Sequence, residues 1–61
     1  MNQQITHYSH DTLKKHALRV AKEQGFGAEL VSWGIDVTNH GARLRVVYRM
    51  NNLTQIASEA L

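Results

Sequence analysis

Residues 30–38 read Leu-Val-Ser-Trp-Gly-Ile-Asp-Val-Thr, and residues 43–50 read Arg-Leu-Arg-Val-Val-Tyr-Arg-Met. In the first segment Val31, Trp33, Ile35 and Val37 alternate with Ser32, Gly34, Asp36 and Thr38. In the second, Leu44, Val46, Tyr48 and Met50 alternate with Arg43, Arg45, Val47 and Arg49. A period of two marks a strand with one buried face. The intervening Asn39-His40-Gly41-Ala42 is a turn cluster. The two segments are therefore expected to form an antiparallel hairpin, and the rest of the chain is read around it.

The same pattern suggests a register. A three-residue loop that set Thr38 opposite Ala42 would place Ile35 against Arg45 and Val37 against Arg43. Moving the register by one residue exchanges the faces and separates apolar from charged side chains. The expected turn is then His40-Gly41, with Gly41 free to take positive φ. Val37 would meet Leu44, Ile35 Val46, Trp33 Tyr48, and Val31 Met50. On the other face Thr38 would meet Arg43, Asp36 Arg45, Gly34 Val47, and Ser32 Arg49. An isolated hairpin is marginal in water, so the Trp33 face needs a cover from the flanking segments.

Upstream, Ser9 to Gln24 has helical spacing, with Leu13, Ala17, Val20 and Ala21 as an apolar stripe and Leu18 at its edge. Ser9 or Asp11 can cap its start. Gly25 and Phe26 suit a Schellman-type stop. Lys15, Arg19 and Lys22 lie together on the side opposite the stripe. Met1 to His7 alternates weakly and could add a short edge strand. Downstream, Asn51-Asn52 offers an N-cap, and Leu53 to Leu61 fits a short helix with Leu53, Ile56, Ala57, Ala60 and Leu61 on one side. The expected architecture is thus α+β in the order α-β-β-α: a helix, a two-stranded antiparallel hairpin and a short C-terminal helix, with an optional N-terminal edge strand.

Sixty-one residues make one small domain, 1–61. A chain of this size buries only about 60% of the surface that it exposes when unfolded. With no cysteine, neither a disulfide nor a thiolate metal site can reinforce it. Dimerisation is the remaining common device, and pairing of edge strands between two copies would deepen the thin core, so a homodimer is expected. No apolar run approaches membrane-spanning length, and Met1-Asn2-Gln3-Gln4 does not have the pattern of a signal peptide. The expectation is a cytoplasmic protein with no membrane partner.

Val20-Ala21-Lys22-Glu23-Gln24-Gly25-Phe26, followed by Val31-Ser32-Trp33, resembles the helix-turn-helix of phage repressors of the Cro type. The shared features are a small residue at Ala21, Gly25 four later, apolar Phe26, and apolar Val31 further on. The resemblance covers about a quarter of the chain. It implies a second helix over residues 28–34, with Ala28, Glu29 and Ser32 facing a DNA major groove. Gln24, Gly27 and Gly34 depart from that pattern. The strand reading accounts for eight cross-strand pairings, which the helix reading does not.

The candidate chemistry is sparse. His7, His10, His16 and His40 do not share one helical face at ligand spacing, so no metal site is expected. No phosphate loop, nucleophile elbow or paired-carboxylate pattern appears, and no catalytic residue or cofactor is assigned. A ribonuclease built on His40 with Arg43 and Arg45 is the nearest enzymatic reading. The net charge is +2, but the seven basic residues are clustered. Arg43, Arg45 and Arg49 share one hairpin face, while Lys15, Arg19 and Lys22 share one helix face. Two functions follow from these clusters. One is a small non-enzymatic nucleic-acid-binding regulator of phage or plasmid type, touching phosphates through both basic clusters. The other is a protein-binding module or small inhibitor that docks its basic face on an acidic or nucleic-acid-binding site of a larger complex. The apolar gap left by Gly34 and Val47 among the arginines suits that second reading.

Overall fold

The computed structural model describes residues 9–61. Its elements, in order, are helix α1 (His10–Glu23), strand β1 (Glu29–Thr38), strand β2 (Gly41–Met50) and strand β3 (Leu53–Ala60). The three strands form one antiparallel sheet in the order β1-β2-β3, and α1 packs on one face of it. The possible strand over Met1 to His7 lies outside the described residues.

Helix α1 forms as its pattern predicts. Ser9 is the N-cap, and its hydroxyl accepts from the Thr12 N–H at 3.1 Å. Asp11 in the first turn and Lys22 in the last complement the helix dipole. Ala17, Val20 and Ala21 are buried against Leu44, Val46 and Tyr48 of β2. Trp33, Ile35, Leu30 and Met50 fill in around that core, and the Trp33 ring also lies 5.1 Å from the His10 ring at a tilt of 51°. The helix does not end in the expected Schellman motif. Gln24 N–H bonds to the Ala21 carbonyl and Gly25 N–H to the Lys22 carbonyl, a tightened last turn, and Phe26 is left fully exposed.

Residues 29–38 form a strand, so the helix-turn-helix reading does not hold: Ala28, Glu29 and Ser32 lie on no recognition helix. The hairpin is present, but its register differs from expectation by two residues. Ile35 pairs with Leu44, Trp33 with Val46, Gly34 with Arg45 and Asp36 with Arg43. The turn is Asn39-His40, and Gly41 follows it at φ +114°. Thr38 secures this arrangement: its hydroxyl accepts from the His40 N–H at 3.1 Å and donates to the Gly41 carbonyl at 2.9 Å. A two-residue slip keeps every side chain on its original face, so hydrophobic alternation could not detect it. One face assignment does fail. The register shifts between Leu30 and Ser32, and this bulge turns Val31 away from the core and Leu30 towards it.

The largest correction concerns the C-terminus. Leu53 to Leu61 is not a helix; residues 53–60 form β3, paired along its whole length with β2. The fold is therefore α-β-β-β, not α-β-β-α with a two-stranded hairpin. Asn51 and Asn52 have φ of 55° and 64°, two successive left-handed residues that close a two-residue hairpin between Met50 and Leu53. This is the geometry of a type I′ turn, whose twist matches that of the flanking strands. A nine-residue helix has little stability alone, whereas the strand completes eight pairings with β2. The i, i+3, i+4 apolar set divides accordingly. Leu53 and Ala57 pair with Met50 and Val46 on the helix side, while Ile56 and Ala60 pair with Val47 and Arg43 on the other. The second copy invoked to enlarge a two-stranded sheet is not needed for that purpose, because β3 supplies the third strand from the same chain.

Candidate binding face

Strand β2 is the centre of the sheet, so its outward residues have neighbours on both sides. Four cross-strand rows make up the face that α1 leaves uncovered. They are Asp36–Arg43–Ala60, Gly34–Arg45–Ser58, Ser32–Val47–Ile56 and Glu29–Arg49–Thr54. Arg43, Arg45 and Arg49 therefore stand in one column, interrupted by Val47. At about 3.4 Å per residue the column is roughly 20 Å long, on a sheet about 10 Å wide between its outer strand axes.

Two of the three guanidinium groups are held by neighbours. Arg45 Nη1 donates to Asp36 Oδ1 at 2.5 Å, an ion pair of half-exposed side chains. Its path to Asp36 crosses Gly34, and any Cβ there would collide with the Arg45 Nη2. Arg43 reaches the opposite way: Nε donates to Ser58 Oγ at 2.7 Å and Nη2 to the Ser58 carbonyl at 3.3 Å. Ser58 is uncharged, so Arg43 keeps its full charge while its direction is set. Arg49 makes no side-chain hydrogen bond or ion pair among the described residues, and its cross-strand neighbours are Glu29 and Thr54. Ile56 is exposed on this face, at 66%, beside the half-buried Val47, and Val31 at the β1 bulge is also exposed, at 50%.

The other predicted cluster lies on the far side of the molecule. Ala17, Val20 and Ala21 face the sheet, so Lys15, Arg19 and Lys22 face solvent and line a shallow surface depression with Leu18 and Glu23. Arg19 is engaged by two carboxylates, Glu59 of β3 and Glu23 one turn on, each at 2.9 Å, and it also donates to His16 Nδ1 at 3.1 Å. The bond to Glu59, then the one to Glu23, pushes its pKa further above the normal arginine range. The six predicted residues thus form two surfaces, separated by the body of the protein, not one.

Ser58, Thr54 and Ile56 belong to the open face and were missed in the sequence because residues 53–61 were assigned to a helix. The one available signal was the Asn51-Asn52 turn pair, because the apolar residues that follow it recur at helical spacing. Among the described residues no three His, Cys, Asp or Glu side chains gather as a metal site. His40 sits at the exposed turn between β1 and β2. No described helix is long and apolar enough to cross a membrane. In comparisons with protein-family models, curated proteins and solved structures, nothing matches this chain.

Proposed function

We propose that this is a small non-enzymatic protein that binds nucleic acid by laying the open face of its sheet against the phosphate backbone. One observation carries the reading: Arg43, Arg45 and Arg49 form a single column on the central strand of a face that no described element covers. Binding itself is then the function, as in a regulator that occupies a site. The sheet supplies the rigidity, and Ser58 sets the direction of one cation before any ligand arrives. Lys15, Arg19 and Lys22 are left out of this site, because α1 packs on the opposite face of the sheet.

Titration of fluorescent nucleic acid at several salt concentrations tests the reading. Two or three phosphate contacts give a slope of log affinity against log salt of about −2 to −3 on B-form DNA. Absence of binding at low salt ends the proposal.

A protein partner is the second reading, favoured by the Val47 and Ile56 side chains among the arginines. An apolar centre with an Arg rim is the composition of many protein interfaces. Affinity that changes little with salt and is lost in Ile56→Asp would support it over the first.

A further inference from the structure

Resting on the nucleic-acid reading, we propose that the partner is B-form duplex DNA and that the outer face of the β2–β3 hairpin enters its major groove. The two halves of the open face differ in charge. On the β1 side the arginines face Asp36 and Glu29. On the β3 side the outward residues are Thr54, Ile56, Ser58 and Ala60, none of them acidic, and Glu59 points to the helix side, where Arg19 holds it. A phosphate backbone is therefore repelled from β1 and accepted over β2 and β3. A two-stranded ribbon is the size of β structure that a major groove admits.

The apolar centre fits the same placement. Val47 and Ile56 are cross-strand partners midway between Arg45 and Arg49. In a major groove they meet base-pair edges, where the thymine methyl group is the natural contact for an aliphatic side chain. Arg43 and Arg49, towards the ends of the column, then reach phosphates on either side of the groove, and Thr54 and Ser58 add neutral hydroxyls beside them.

Single strands and RNA duplexes fit less well. Single-strand binding draws much of its affinity from bases stacked on aromatic side chains. This face has none among the described residues: Tyr48 is buried beneath α1, Trp33 points to the helix side against His10, and Phe26 lies in the loop before β1. An A-form RNA duplex has a major groove too deep and narrow for side chains to read.

The test is anisotropy with three labelled probes of one sequence, about 20 nucleotides long: duplex DNA, single-stranded DNA and duplex RNA, each over a range of salt. Duplex DNA is expected to bind about tenfold or more tightly than the other two. Its affinity should fall about tenfold between 50 and 200 mM salt, as two phosphate contacts require. The double variant Arg43→Ala/Arg49→Ala should flatten the salt slope by about 2. Ile56→Ser should leave the slope unchanged but reduce the preference for A·T-rich over G·C-rich duplex. Circular dichroism checks that each variant is folded, and all three positions lie on the exposed side of the sheet. Equal or tighter binding of single-stranded DNA or duplex RNA overturns the duplex-DNA inference and leaves nucleic-acid binding standing. An unchanged slope in the double variant overturns the placement of the arginines. Failure of all three probes to bind overturns both proposals.

Discussion

Arg45 lies down across Gly34 to reach Asp36, and this contact explains a glycine in the middle of a strand. Gly is unfavourable at such a position unless something approaches closely. Here the guanidinium approaches, and the result is a flat patch on the open face. Gly34→Ala inserts a methyl group where the guanidinium lies. The obstacle is the mobile end of a long side chain, so the strand survives and Arg45 swings out. The expected loss of stability is below about 1 kcal/mol, the scale of a half-exposed ion pair, measured by urea unfolding. Loss of the Arg45–Asp36 contact should appear as a shift of the Arg45 Nε resonance. A loss of several kcal/mol would mean that the backbone, not the side chain, gives way.

The turns that flank β2 decide how each neighbouring strand is placed. At the first, Gly41 has positive φ and Thr38 closes the loop with two hydrogen bonds. At the second, Asn51 and Asn52 both occupy the left-handed region, which costs most L-residues about 1–2 kcal/mol and asparagine less. Asn52→Gly should stabilise the protein by about 0.5 kcal/mol, because Asn-Gly is the preferred type I′ pair. Replacing both with alanine should destabilise it by about 1–2 kcal/mol or more. Urea midpoints report both changes. If the double alanine variant were more stable and more helical by circular dichroism, the β3 assignment would fall.

At the scale of the molecule, the described residues form a thin sandwich of one helix on three strands, with principal extents of 41 × 23 × 15 Å. Among the described residues the buried core is six side chains: Ala17, Val20, Ala21, Leu44, Val46 and Tyr48. Domains have about 0.05–0.15 kcal/mol of stability per residue, hence roughly 3–9 kcal/mol for a chain this short. Leu44→Ala removes one of the two largest fully buried side chains and should cost about 2–5 kcal/mol. That is enough to leave a substantial unfolded fraction at room temperature, visible as loss of a cooperative thermal transition. The two-layer geometry also separates the basic clusters. Lys15→Glu/Lys22→Glu reverses charge on the far side of the helix, about two Debye lengths from the sheet face at physiological salt. Nucleic-acid affinity should then change by less than about threefold, whereas Arg43→Ala/Arg49→Ala should reduce it at least tenfold. Equal effects from the two pairs would return the helix stripe to the binding site.

Sequence alone was enough for the body of α1 and its Ala17/Val20/Ala21 stripe, because helical period is written in local order, while the choice of Ser9 over Asp11 as its cap came from the structure. It was also enough to place Trp33 and Tyr48 on one side of the hairpin and Arg43, Arg45 and Arg49 on the other, since alternation specifies faces. Register was not legible: pairings two residues apart have the same faces, and the choice between them rests on the Thr38 bonds and the φ of Gly41. The bulge at Val31 was equally hidden. Leu53 to Ala60 has its apolar residues at helical spacing, yet a segment so short takes the structure that its neighbour stabilises. Only the tertiary structure, by setting β3 beside β2, decided that Ser58, Thr54 and Ile56 join the arginine face and that α1 carries its own cations away from it.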